Sequence, residues 1–97
     1  MKVRFSPRAT EDLIAIADYL RERNSSAARS VEAAVRRTID LLSEFSGSGR
    51  LLTQRSNVRV MPLARYPYLI FYTVLADELL ILHIRHGARV PLGPEDL

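Results

Sequence analysis

The chain has no cysteine and no tryptophan, and only two histidines. The missing thiols exclude disulfides and thiolate zinc sites, and they fit a reducing compartment. His83 and His86 have no carboxylate or third histidine at ligand spacing, so no metal centre and no cofactor is expected. No apolar run reaches the ~18 residues that a membrane span needs, so no membrane association is expected. Met1-Lys2-Val3-Arg4-Phe5-Ser6-Pro7 lacks the apolar core of a secretion signal, which makes the cytoplasm the expected location. Gly47-Ser48-Gly49-Arg50 follows a helical pattern rather than a strand, so it is not a phosphate-binding loop. No serine sits in a nucleophile motif.

Acid is scarce in one place. Between Glu44 and Asp77 there is no acidic residue, while Arg50, Arg55, Arg59 and Arg65 all fall there. The 97 residues carry 14 basic and 11 acidic side chains, a net charge of +3. The total is modest, but the net positive charge gathers in the acid-poor second half, where every basic residue is arginine. Arginine forks fit phosphate and carboxylate geometry better than lysine does. The bland reading is an arginine-rich soluble surface; the functional one is an anionic or acidic partner.

The length makes one domain, residues 1–97. Lys2-Val3-Arg4-Phe5 alternates as a strand does. Ser6-Pro7 is a helix start, since Ser caps well and Pro is tolerated at the first helical position. Glu11 and Asp12 suit the positive end of that helix. Ala9, Leu13, Ile16, Ala17 and Leu20 form one apolar stripe over residues 7–23. Asn24-Ser25-Ser26 ends it and caps a second helix striped by Ala28, Val31, Val35, Ile39, Leu42 and Phe45. Ser46-Gly47-Ser48-Gly49 closes the hairpin, with glycine expected in a left-handed conformation. Residues 50–55 read as loop, 57–61 as a strand, 68–74 as a strand, 75–78 as a turn and 79–85 as the last strand. The tail, residues 91–97, is expected to be loosely ordered.

Helices followed by strands give an α+β fold with the helical hairpin on one face of an antiparallel sheet. The last strand is apolar on both faces. Simple alternation groups Leu80, Leu82 and Ile84 on one side and Leu79, Ile81 and His83 on the other. A strand apolar on both sides needs cover on both sides. The second cover comes from a partner, from self-association, or from the chain's own loops.

Arg59, Arg65, Arg85, His86 and Arg89, with Tyr66, Tyr68 and Tyr72, are the residues able to carry chemistry. Such a group suits stabilisation of a phosphorane charge while His86 moves a proton, as in metal-free RNA cleavage. It equally suits a static patch for phosphates or an acidic protein. Tyr68 and Tyr72 also read as core residues with outward hydroxyls.

The helix pair ending in Phe45-Ser46-Gly47, the strand Tyr68-Leu69-Ile70-Phe71-Tyr72 and the closing Ile84-Arg85-His86-Gly87-Ala88-Arg89 resemble the ParE/RelE toxin superfamily of type II toxin–antitoxin modules. The resemblance spans roughly residues 2–91. It implies a βααβββ fold and a small cytoplasmic bacterial toxin held inactive by a cognate antitoxin in a hetero-oligomer. On this reading the antitoxin covers Tyr68, Ile70, Tyr72, Ile81 and His83, and the target meets Arg59, Arg65, Arg85, His86 and Arg89. RelE-like members cut messenger RNA in the ribosomal A site, whereas ParE-like members poison DNA gyrase. The nucleases carry an Arg where this chain has Leu69, and an aromatic where it has Val90-Pro91-Leu92-Gly93-Pro94-Glu95. Arg89 matches a basic nuclease position, and Arg59 lies on a strand where the nucleases place Lys or Arg. One lost transition-state donor is worth about 3 kcal/mol, which favours the gyrase poison, without catalysis of its own. The alternatives are a ribosome-dependent endoribonuclease using Arg59, Arg85, His86 and Arg89, and a degenerate module that only binds antitoxin.

Overall fold

The computed structural model describes residues 1–55 and 57–87. The elements run β1 (Lys2–Phe5), α1 (Pro7–Arg23), α2 (Ser25–Glu44), a 3-10 turn (Ser46–Ser48), β2 (Arg50–Leu51), β3 (Arg59–Pro62), β4 (Tyr68–Leu75) and β5 (Glu78–His86). The expected tail, residues 91–97, lies outside the described residues.

Caps set the helix boundaries. The Ser6 hydroxyl accepts from the Ala9 N–H at 3.0 Å and donates to the Leu82 carbonyl at 2.9 Å. It starts α1 and ties it to β5 at once. Asn24 serves both helices. Its N–H donates to the Leu20 carbonyl, and its side-chain oxygen accepts from the N–H groups of Ser26 and Ala27. One residue thus satisfies orphan groups at two helix ends, which is why so short a connection closes the hairpin.

The sheet order is β1-β5-β4-β3-β2. Only β1 departs from the antiparallel pattern, pairing parallel with β5. The sheet is thus mostly antiparallel, with one parallel edge. The entire helical hairpin and three strands separate β1 from β5, and so long a connection permits parallel pairing. Residues 50–55 hold a strand as well as loop: Arg50 and Leu51 pair with Val60 and Arg59. Two residues are too short for a periodicity to register.

The helices bury Ala9, Val31, Ala34, Val35, Ile39 and Leu42 against Leu63, Tyr68, Ile70, Tyr72, Leu79, Ile81 and Ile84. Ile84 belongs to the helix-facing set, against the alternation expected from the sequence. Tyr72 pairs with Ile81, but Phe71 pairs with His83, so Leu82 is an extra residue in β5. This bulge reverses the side-chain parity of everything after it. The other face is partly closed by the chain itself. Val58, Val60, Phe71 and Thr73 are buried outside the helix-facing core. Thr73 donates its hydroxyl to the Asn57 carbonyl, drawing the segment before β3 against the sheet.

No glycine takes a positive φ among the described residues, so the left-handed glycine expected after α2 is replaced by the 3-10 turn. Gly49 is needed for a close approach instead: a Cβ there would lie 2.5 Å from the Tyr72 hydroxyl oxygen. The left-handed positions belong to Arg65 and Ala76, with φ of 75° and 52°.

Two substitutions test these backbone assignments in urea unfolding. Gly49→Ala is expected to destabilise the chain by about 1–3 kcal/mol, because it overpacks an anchored ring. Ala76→Gly relieves a Cβ in the left-handed region and is expected to stabilise by about 1 kcal/mol.

Candidate functional site

The ends of β3, β4 and β5 meet at one margin of the sheet. Tyr68 opens β4 opposite His86 of β5, and the Gly87 N–H donates to the Pro67 carbonyl at 2.6 Å. Arg65 lies exposed in the connection between β3 and β4. Arg85, opposite Leu69, is half-buried and falls outside the helix-facing core, while His86 lies opposite Tyr68. Those two rings meet edge to face at 5.4 Å. The structure therefore brings together Arg65, Arg85, His86 and Tyr68. Arg89 lies outside the described residues.

Arg59 is elsewhere. It opens β3 opposite Tyr72, four β4 residues or ~13 Å from the Tyr68 end. Its Nη1 donates to the carbonyls of Gly49 at 2.6 Å and Gly47 at 3.2 Å. The Tyr72 hydroxyl donates to the Ser46 carbonyl at 2.7 Å and accepts from the Gly49 N–H at 2.8 Å. Burial raises the Tyr72 pKa, with the Gly49 bond and the Arg59 charge pulling it back. Arg59 and Tyr72 together hold the turn after α2. Its Nη1 thus serves loop carbonyls, apart from the residues gathered at the Tyr68 end.

A second group lies where α1 crosses β5. His83 is 2% exposed, and its Nδ1 abuts Oδ2 of Asp12. The same Oδ2 accepts from the Ile84 N–H at 3.0 Å, and Oδ1 accepts from Arg8 Nε at 3.3 Å. Neither ring nitrogen of His83 meets hydrogen-bond geometry with a partner. Burial pushes the His83 pKa below its ordinary 6.5; Asp12 opposes the shift, and Arg8 and Arg85 add to it. Beside this group a cavity of about 850 Å³ opens between α1 and the end of β5, lined in part by Arg8, Tyr19, Tyr66, Tyr68, Arg85 and His86. Among the described residues no three His, Asp or Glu side chains group as a metal site requires. Nor is any described helix long and apolar enough to cross a membrane.

Sequence reasoning missed the role of Asp12, taking it for a helix-dipole residue. It lies past the first turn of α1 and faces β5 instead. No local signal joins it to His83, since the two meet only through the tertiary fold.

A family model described as the ParE toxin of type II toxin–antitoxin system, parDE, matches residues 3–91. The chain belongs to the ParE toxin family. A curated protein of Caulobacter vibrioides named toxin RelE2 is 36% identical over 84 residues, covering 86% of this chain and 91% of that one. A chain from the chromosomal ParDE TA system of P. aeruginosa superposes with a TM-score of 0.75 at 23% identity, covering 89% and 95% of the two chains. A conserved hypothetical protein of Helicobacter pylori shares the fold with a TM-score of 0.58 at 20% identity, covering 87% and 91%. The chain is thus a toxin of the ParE/RelE superfamily, and a type II toxin implies an antitoxin partner.

Within this ParE-family toxin, the five residues expected to meet the antitoxin prove to be interior. Tyr68 is 8% exposed, Ile70, Tyr72 and Ile81 are 0%, and His83 is 2%. The helical hairpin of the chain itself packs on Tyr68, Ile70, Tyr72 and Ile81, and α1 meets His83 at the edge. An open apolar groove of about 530 Å³ lies between α1 and α2, lined by Phe5, Leu13, Ile14, Ala17, Val35 and Ile39.

Arg59→Ala is expected to cost about 1–3 kcal/mol in urea unfolding, since it leaves loop carbonyls without their donor. The His83 assignment predicts a pH dependence. A folded-state pKa below the unfolded value means that the unfolded chain binds more protons. The stability linked to His83 is therefore complete above about pH 6.5 and falls as pH drops below it. Unfolding midpoints should decline between pH 7.5 and 5.5, and His83→Gln should flatten that slope.

Proposed function

We propose that this toxin arrests growth by binding DNA gyrase and trapping its cleaved-DNA state. The observation that carries this reading is the incomplete nuclease set. Arg59 is held by the Gly47 and Gly49 carbonyls, and Leu69 stands where the nucleases carry Arg. A phosphoryl-transfer site needs donors aimed at developing charge, and each one lost costs orders of magnitude in rate. The residues left at the sheet end, Arg65, Arg85 and His86, suit binding more than catalysis. The toxin works in the cytoplasm once free, and a hetero-oligomer with its antitoxin holds it inactive.

The antitoxin occupies the α1–α2 groove. Phe5 and Ile14 are 38% and 56% exposed there, and Asp18, Arg21, Glu32, Arg36 and Asp40 also line it. An apolar floor beside alternating charges fits an amphipathic helix. Ile14→Asp is expected to weaken the complex by about tenfold or more in calorimetry and to leave growth arrest unchanged.

Purified toxin incubated with gyrase and supercoiled plasmid should accumulate cleaved DNA. Arg85→Ala should lower that yield by roughly tenfold or more. Normal supercoiling with no cleaved complex would rule out gyrase as the target. The likeness to a protein named toxin RelE2 supports a second reading, a ribosome-dependent endoribonuclease. Primer extension on translated messages would then show codon-phased cuts.

A further inference from the structure

We propose that Asp12 is a positioning residue for the Arg85–His86 end of β5, holding the Leu82 bulge so that Arg85 stays out of the helix-facing core. This rests on the reading above that Arg85 engages the target. The parity is explicit in the register. Ile81 and Ile84 both face the helices, though three residues apart in a strand, because Leu82 has no opposing residue in β4. Without the bulge Arg85 would share the side of Leu79 and Ile81, inside the core, and His86 would turn away from Tyr68.

A bulge leaves backbone groups without ladder partners. Here the problem is sharper, because β1 ends at Phe5 opposite Ile81 and, among the described residues, no strand pairs with the rest of β5 on that side. The N-terminal part of α1 supplies what a strand would. The Ser6 N–H donates to the Ile81 carbonyl, and its hydroxyl donates to the Leu82 carbonyl. Asp12 accepts from the Ile84 N–H and abuts His83. These contacts fall on four consecutive residues around the bulge. Asp12 alone accepts the N–H that follows it, and Arg8 steadies its second oxygen.

The test uses the full chain, with the alanine and asparagine variants of Asp12. Asparagine keeps a side-chain oxygen for the Ile84 N–H. In Asp12→Ala the Ile84 amide should exchange roughly tenfold faster or more, and the nuclear Overhauser contact between the Tyr68 and His86 rings should vanish. Growth arrest on induction should fall to the level of Arg85→Ala. Asp12→Asn should restore amide protection, the ring contact and arrest together. Wild-type protection and ring contact in folded Asp12→Ala would overturn the proposal. So would a folded Asp12→Asn that keeps both signatures yet fails to arrest growth. If Asp12→Ala does not fold, Asp12→Asn decides on those same readouts. If Arg85→Ala arrests growth like the wild type, the target reading fails, and the spectra alone judge the role of Asp12.

Discussion

β5 has a strand neighbour on both sides for only part of its length, and most of the architecture answers that constraint. Its first residues lie between β1 and β4. Past Ile81 the β1 side is open. An open, apolar strand edge invites pairing with another chain. This toxin closes the edge with a helix start rather than a strand. Ser6 and Asp12, one cap and one carboxylate, replace the missing ladder. The same contacts fasten α1 across the sheet and so set how the hairpin covers the core.

A second fastening works from the other end of the hairpin. Tyr72 is fully buried in β4, yet its hydroxyl reaches the turn that follows α2. Arg59 holds the carbonyls of the same turn from β3. α1 is thus tied near its start and α2 near its end, each to a different strand. The helical hairpin then moves with the sheet as one body. That rigidity suits the target surface proposed at the sheet margin, because placing cations beforehand lowers the ordering cost of binding.

Periodicity and capping carried most of the fold into view. Ser6-Pro7, Asn24 and the two apolar stripes mark both helices to within a residue or so of their ends. The β4 and β5 strands are equally plain, because their apolar runs are long. What stayed hidden has a common cause: pairing across the tertiary structure. Nothing near Leu82 in the chain announces a bulge, so alternation assigned Ile84 to the wrong face. Nothing near Arg59 shows that glycine carbonyls from another element would take its guanidinium. The rim of Arg65, Arg85 and His86 was readable because these residues flank strand ends, where topology alone brings them close. The burial of Tyr68, Ile70 and Tyr72 was not, because an apolar strand looks the same whether its cover is a partner or the helices of its own chain.

Charge and contact must be separated at this surface. The ion pairs on Asp12, Asp18, Glu22, Glu32 and Glu78 all involve α1, α2, β1 or the start of β5. Between Glu44 and Asp77 the sequence offers no acid at all. Arg59 donates to neutral carbonyls, which hold its geometry without cancelling its charge. It therefore cannot serve as a contact without breaking the turn, but it still adds to the field that an approaching anionic partner meets. Fields of this kind act on encounter rates and fade with salt, whereas short-range contacts act on the lifetime of a complex. Arg59 thus braces the fold and adds to the long-range field, and on the reading proposed above the short-range recognition falls to Arg65 and Arg85.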